Sequence, residues 1–444
     1  MNRETLKYVL RETTEQDLPA VRERACEVPL ESGKVVALVG VRRSGKTFIM
    51  FQTIHRLVDA GTSRRRIIYL NLEDDRLFPI APEDMDLILG AHAELYPEEA
   101  ASGVRYLFLD EVQAVAGWER YARRIHDSGR VRLFITGSSS GVLTRDLAPA
   151  MRGRSISMEV FPLSFPEFLS FRGISYTPYR SIDEARIVNA LEEYLTWGGL
   201  PEIVLADATL RPLILTEYVS LMFFRDLLER YAVRNESVMK LLFMHCCSNP
   251  ATLVSLNRLH GDLRSRGMQV SKNTLYDYMT YLEDAMLVFT SPRYDRSLRR
   301  QGQAPRKVHP VDPALTQAFR ARPEDDRGRR LEAAVFLDER RRTKQVFYLS
   351  NAHEIDIVSE SPGGTRLINS VWSLESASAI RRESESLRWG MDRVQGSSAW
   401  LVAHDPAGIR KTSEGSPVVS AWRWLMGIVP ASGRPRSRRK PLAR

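Results

Sequence analysis

Gly40-Val41-Arg42-Arg43-Ser44-Gly45-Lys46-Thr47 is the stretch on which the reading of this 444-residue chain turns. Two glycines, then a lysine and a hydroxyl residue at this spacing, form the full phosphate-loop (P-loop) pattern. The glycines let backbone amides curl around a polyphosphate, and a following helix offers its N-terminus to the anion. Lys46 is placed to contact β- and γ-phosphates, and Thr47 to put its hydroxyl on Mg²⁺. Gly40, Arg43, Ser44, Gly45, Lys46, Thr47 and Phe48 are therefore the candidate nucleotide contacts. The flanks agree with this: Val35–Val39 is a short apolar run that reads as a buried parallel strand, and Phe48–Ala60 is compatible with a helix.

Further apolar runs at Ile67–Leu72, Tyr106–Leu109, Leu133–Thr136 and Arg154–Val160 alternate with helix-compatible segments such as Trp118–Asp127. That alternation predicts an α/β domain with a parallel, doubly wound sheet. Tyr106-Leu107-Phe108-Leu109 ends in Asp110 and Glu111, at the sheet edge where ligands bind. Asp110 would hold Mg²⁺ together with Thr47, and Glu111 would polarise the attacking water, joining Lys46 as a catalytic group. Thr136 and Ser138, ending the next strand, are candidates to bond the γ-phosphate or that water. Ser139 and Ser140 read as helix caps. Arg152 and Arg154 read as solvated structural arginines, with an arginine finger to a neighbouring subunit as the alternative.

Past Pro162 the texture becomes helical through residue 245, broken at Trp197-Gly198-Gly199-Leu200-Pro201. Residues 252–292 hold three short amphipathic stretches separated by Gly261, Gly267 and Ser271-Lys272-Asn273, which fits a winged helix. A Pro/Arg-rich passage, Arg293–Pro310, follows. Beyond it a helix at Arg329–Arg341 alternates with strands at Val346–Leu349, Glu354–Ser359 and Arg366–Trp372. The predicted division is 1–162 ATPase, 163–245 helical linker, 246–310 winged-helix-like, 311–428 nuclease-like, and 429–444 a basic, disordered tail.

The formal charge of +9 suggests nucleic acid, but its distribution weakens that reading. Residues 434–444 carry six basic side chains and no acids, and without them the chain has 58 basic against 55 acidic residues. Only nine of the basic residues are lysines, a skew that genome composition explains better than selection for phosphate binding does. Cys26, Cys246 and Cys247 cannot make a disulfide framework or a metal knuckle. No apolar run approaches the ~18 residues needed to span a bilayer, and Met1-Asn2-Arg3-Glu4 opens no signal peptide. A cytoplasmic protein with no membrane partner is expected.

In order along the chain, the P-loop is followed by Leu109-Asp110-Glu111-Val112-Gln113, Gly117-Trp118-Glu119, Ile135-Thr136-Gly137-Ser138 and Arg152-Gly153-Arg154. Then come Phe161-Pro162-Leu163-Ser164-Phe165, Gly198-Gly199-Leu200-Pro201, Tyr281-Leu282-Glu283-Asp284-Ala285, Val311-Asp312-Pro313 and Gly328–Phe336. This ordered set resembles a group of prokaryotic AAA-type ATPases. Members of that group join a P-loop domain, a helical and winged-helix middle, and a C-terminal restriction-endonuclease-like domain. The resemblance implies ATP and Mg²⁺ as ligands, Glu111 as the catalytic glutamate, and a metal-binding trio in the last domain. Glu332 and Asp356 match the first two members of that trio. Where a Glu/Gln-x-Lys should follow, the chain reads Asn369-Ser370-Val371, so that lysine and one acidic ligand are missing. Glu332, beside Arg329 and Arg330, is then expected to make surface ion pairs, and the domain to be an inactive module.

The function these readings support is a Mg²⁺-dependent, ATP-hydrolysing switch. DNA is a candidate partner through the winged helix, at Lys272 and Asn273, and through the basic tail; a homo-oligomer is compatible. The alternatives are a nucleotide-gated nuclease and an ATP-binding scaffold with a protein partner.

Overall fold

Val35–Val39 (β1) is buried at every position, as a central parallel strand covered on both faces must be. It pairs in parallel with β4 (Val131–Gly137) on one side and β5 (Ser155–Glu159) on the other. Outward from β4 lie β3 (Arg105–Asp110) and β2 (Ile67–Asn71), giving the parallel order β2-β3-β4-β1-β5. Val36, Leu38, Phe108 and Phe134 pack with Ile49, Met50 and Ile54 of the Lys46–Asp59 helix, and the rings of Phe108 and Phe134 stack 4.6 Å apart. The helix Arg3–Glu15 starts where Asn2 accepts the Glu4 amide at 2.9 Å. Because β4 runs between β1 and β3, Thr136 separates the P-loop after β1 from the carboxylates ending β3.

The computed structural model describes residues 1–137, 148–177, 181–319 and 326–429. They fall into two compact units, one built on Met1–Pro162 and the other on the chain beyond Leu163. In the second unit, helices run from Phe165–Phe171 through Glu236–Ser248. A three-stranded antiparallel sheet follows, ordered β6 (Thr252–Val254), β8 (Arg306–Pro310), β7 (Val288–Ser291), with helices Leu256–Ser265 and Lys272–Asp284 between β6 and β7. Gly261, predicted to separate two stretches, lies inside the first of these helices. A single glycine costs a helix only about 1 kcal/mol, too little to break one held by its apolar face. The Pro/Arg-rich passage folds as a short helix, Leu298–Gln303, and then β8.

The last region is a mixed sheet ordered β13 (Val418–Ser420), β12 (Ser398–Asp405), β11 (Gly364–Ser373), β10 (Glu354–Ser361), β9 (Val346–Ser350). It carries the helices Arg327–Arg342 and Ala377–Arg393. The last of these helices and the strands β12 and β13 were not anticipated.

Two sequence motifs far apart meet here. Asp312, fully buried, accepts the Gly199 amide at 2.7 Å and the Ala314 amide at 2.9 Å. Gly198, at φ +70°, could not be another residue, since a Cβ would lie 1.6 Å from the Asp312 carboxylate. Burial pushes the Asp312 carboxyl up to about 6, against the pull of the two amides. A folded-state pKa above the ordinary value near 4 stabilises the fold fully at low pH, and that contribution is lost as pH rises through 6. We expect Asp312→Ala to cost about 2–4 kcal/mol by orphaning two buried N–H groups. In urea unfolding, the stability of the parent relative to Asp312→Asn should decline between pH 4 and pH 7. A flat difference would count against a titrating Asp312.

Candidate functional site

The P-loop is shaped by close contacts that only glycine permits. A Cβ on Gly40 would lie 2.2 Å from the Val160 carbonyl oxygen and 2.8 Å from Ser44 Oγ. Gly45 at φ +95° turns the chain into the Lys46–Asp59 helix, and Arg43 takes the left-handed region at φ +67°. Lys46 is buried, its ammonium donating to the Gly40 and Val41 carbonyls at 3.2 and 3.3 Å. Ser44 is buried and its hydroxyl has no partner among the described residues. Phe48 is 51% exposed, its ring edge-on to Phe51.

The two halves of the site are joined by a hydrogen bond. Thr47 Oγ1 donates to Asp110 Oδ2 at 2.7 Å. Asp110 also accepts from the Tyr69 hydroxyl at 3.0 Å and from Thr136 Oγ1. Burial raises the Asp110 pKa, opposed by its hydroxyl donors, while the neighbouring Glu111 raises it further. Three neutral donors leave this buried carboxylate short of positive charge. A divalent cation between the Thr47 hydroxyl and Asp110 would supply that charge, so the donor set fits Mg²⁺. The cradle of glycines and amides likewise fits a polyphosphate.

Glu111 sits just past the strand in the left-handed region (φ 54°, ψ 51°), an uncommon and costly conformation for this residue type. Its amide donates to Thr136 Oγ1 at 2.9 Å, and its carboxylate accepts from the Gln113 side chain. Thr136, fully buried, is thus occupied in tying Asp110 to Glu111 and does not reach outward as the sequence reading had it. Ser138, with Ser139 and Ser140, lies outside the described residues, as do residues 434–444 of the basic tail. Arg154 pairs with Asp127 at 2.6 Å, and Arg152 is exposed at φ +46°.

Sequence reasoning missed two supports. Tyr69 gave no signal beyond its place within a predicted strand. Arg24 is buried in a segment of unremarkable polarity, where it donates to the Ser44 carbonyl at 2.8 Å and the Phe161 carbonyl at 3.0 Å. Gln52 completes the brace, pairing with both the amide and the carbonyl of Arg24 at 2.8 and 3.0 Å.

A second cluster lies in the C-terminal unit. Glu332 is not on the surface: it meets Lys307 Nζ at 2.7 Å, while Glu354 and Asp356 stand 2.6 and 3.5 Å from the same ammonium. Arg329, expected to pair with Glu332, pairs with Asp326 instead, and Arg330 donates to the Leu195 carbonyl. Burial alone would lower the Lys307 pKa, but the three carboxylates more than offset it and hold the ammonium above the usual lysine range. Burial, with Asp356 adding, pushes Glu332 up to about 8 in spite of Lys307. Asn369 binds Glu383 at 2.8 Å and accepts the Asp356 amide at 3.1 Å, and Ser370 donates its amide to Asp356 at 2.9 Å. The lysine of this cluster arrives on β8, and not from the β11 stretch Asn369-Ser370-Val371. Among the described residues no group of three or more carboxylate, histidine or cysteine side chains has metal-holding geometry.

The parallel sheet, the P-loop after β1 and the acidic pair after β3 define a P-loop NTPase fold of the AAA type. Residues 32–169 match the family model of an AAA domain, and residues 188–326 match a domain of unknown function, DUF8612. The chain belongs to the same family as the uncharacterized protein MJ1544 of Methanocaldococcus jannaschii, to which it is 32% identical over 76% of its own length and 75% of that protein's. An uncharacterized protein of Haemophilus influenzae is 28% identical over 70% of this chain and 76% of its own. Among solved structures, the Walker-type ATPase PABY2304 of Pyrococcus abyssi is similar at 14% identity over 72% of this chain and 95% of that one. Its TM-score of 0.44 is too low to carry a functional inference. Among the described residues no helix is long and apolar enough to cross a membrane.

Proposed function

We propose that this chain is a Mg²⁺-dependent ATPase whose nucleotide state governs its engagement with duplex DNA. The observation that carries the first half is the 2.7 Å bond between Thr47 and Asp110, which brings the P-loop hydroxyl and the strand carboxylate to one cation position. In this reading Lys46, Ser44 and the loop amides bind the phosphates, with Arg43 and Phe48 at the rim, and Glu111 polarises water. Bound Mg²⁺ would offset phosphate charge. Arg154, engaged with Asp127, is the weaker of the two candidate fingers.

The DNA half rests on charge placed by the fold. The order of helices and strands from Glu236 to Pro310, with strands arranged β6-β8-β7, supports a winged helix. Lys272 and Asn273 are exposed at the start of its last helix. From the end of β7 to the first residue of β8, Arg293–Arg306 holds five arginines and one acid, Asp295, which engages Arg293 and Arg300. Arg296 and Arg299 are exposed without an ion pair among the described residues, flanking Leu298 at 81% exposure. The deciding experiment is steady-state hydrolysis of Mg-ATP with and without duplex DNA. Stimulation by DNA is expected. Replacing Arg296, Arg299 and Arg300 by alanine should weaken DNA binding and flatten its salt dependence by about 0.9 in log–log slope per lost phosphate contact. An unchanged slope would move the contact elsewhere, and hydrolysis indifferent to DNA would favour a protein partner.

A second reading, a nucleotide-gated nuclease, has one observation behind it: Lys307 brings to Glu332 and Asp356 the positive charge that Asn369-Ser370-Val371 lacks. DNA cleavage that requires Mg²⁺ or Mn²⁺ and disappears in Asp356→Ala would establish it. No cleavage with either ion would retire it.

A further inference from the structure

We infer that Gln113 is a positioning residue for the water-polarising carboxylate of Glu111. The inference rests on the reading of Glu111 given above and extends it to a side chain two residues further along the same turn. Gln113 lies in the single helical turn Val112–Ala114 that follows Glu111, and its Nε2 donates to Glu111 Oε2. That is the only bond holding the amide, because its Oε1 is buried with no partner among the described residues. On the other side, Glu111 is anchored through its backbone, by its amide to Thr136 and by the left-handed φ of 54°.

These constraints divide the work. The backbone anchors fix where the Glu111 side chain starts, but nothing in them fixes where a flexible glutamate ends. Among the described residues the Gln113 amide is the one donor that reaches its carboxylate. A general base must stand within hydrogen-bond reach of the proton it takes, so a carboxylate free to rotate spends less time in line with the attacking water. Gln113 touches neither Thr47 nor Asp110 in the hydrogen-bond network, so its effect falls on turnover and leaves nucleotide binding alone.

The test is a double-mutant cycle between Gln113→Leu and Glu111→Gln, read as kcat, KM and the dissociation constant for Mg-ATP. Gln113→Leu should lower kcat by about tenfold or more while KM and the dissociation constant stay within twofold, and should add no further loss in the Glu111→Gln protein. Gln113→Glu, nearly isosteric but unable to donate when ionised, should reproduce the loss and serves if the leucine variant does not fold. The proposal is overturned if kcat is unchanged, or if Gln113→Leu costs the same factor in both backgrounds, the signature of a merely structural role. Its failure is separable from that of the underlying reading. A normal rate in Glu111→Gln sinks both, whereas a crippled Glu111→Gln beside a normal Gln113→Leu sinks only this one.

Discussion

Glu111→Gln should keep its affinity for Mg-ATP and lose hydrolysis by ~10²-fold or more, the scale of removing a general base. That factor corresponds to about 2.7 kcal/mol or more of transition-state stabilisation. The substitution preserves shape and the Glu111 backbone, so the amide bond to Thr136 and the bracing of Asp110 survive. What it removes is a carboxylate oxygen able to take a proton from water. Because Thr47 and Asp110 meet without help from Glu111, the cation position and the phosphate cradle should be intact. Lys46→Ala is the complementary variant: it deletes the buried ammonium and should lose binding as well as turnover. Filter-retained nucleotide and phosphate release, measured on the two variants side by side, separate these effects. A Glu111→Gln protein that hydrolyses ATP at the parent rate would remove Glu111 from its role.

Lys307→Ala should destabilise the C-terminal unit by about 3–5 kcal/mol, the usual cost of breaking a buried ion pair from one side. Lys307 is only 3% exposed and lies between three carboxylates, so its removal leaves their charge without a counter-ion. The cluster can respond only by taking up protons, and Glu332, already pushed up to about 8, is where uptake begins. The loss should therefore be greater at pH 9 than at pH 6, because at the lower pH Glu332 is already neutral. Pairing Lys307→Ala with Glu332→Gln should recover part of the loss, since the two share one interaction. Chemical unfolding followed by tryptophan fluorescence at the two pH values measures both. Additive losses in the double variant would mean that Lys307 is held by packing and not by its charge.

The phosphate cradle was legible in the chain because it is local. Gly40, Gly45, Lys46 and Thr47 belong to one turn between one strand and one helix, and short-range sterics dictate its glycines. The same holds for β1, whose five buried residues are consecutive. Asp110 and Glu111 were found because apolar residues lead directly into them. Tyr69, Thr136 and Arg24 have their roles only by virtue of neighbours 20 or more residues away, and nothing in their own surroundings marks them. Thr136 was noticed but assigned outward. Only the adjacency of β3 and β4 turns its hydroxyl onto Asp110.

In the C-terminal unit the balance reverses. Comparing one strand motif with an expected pattern led to the conclusion that a lysine was missing. The fold brings Lys307 from β8, 49 residues before Asp356, against these carboxylates, and buries Glu332 instead of leaving it to nearby arginines. Asp312 and Gly199, 113 residues apart, were recognised as motifs without a reason, and the reason is a carboxylate that holds a glycine amide. By itself, then, the sequence determined the phosphate loop, the acidic pair and the alternation that makes the parallel sheet, since each depends on residues adjacent in the chain. Tertiary structure decided which hydroxyls brace Asp110 and which lysine meets Glu332. These are contacts between distant segments, and they exist only once the strands are in register.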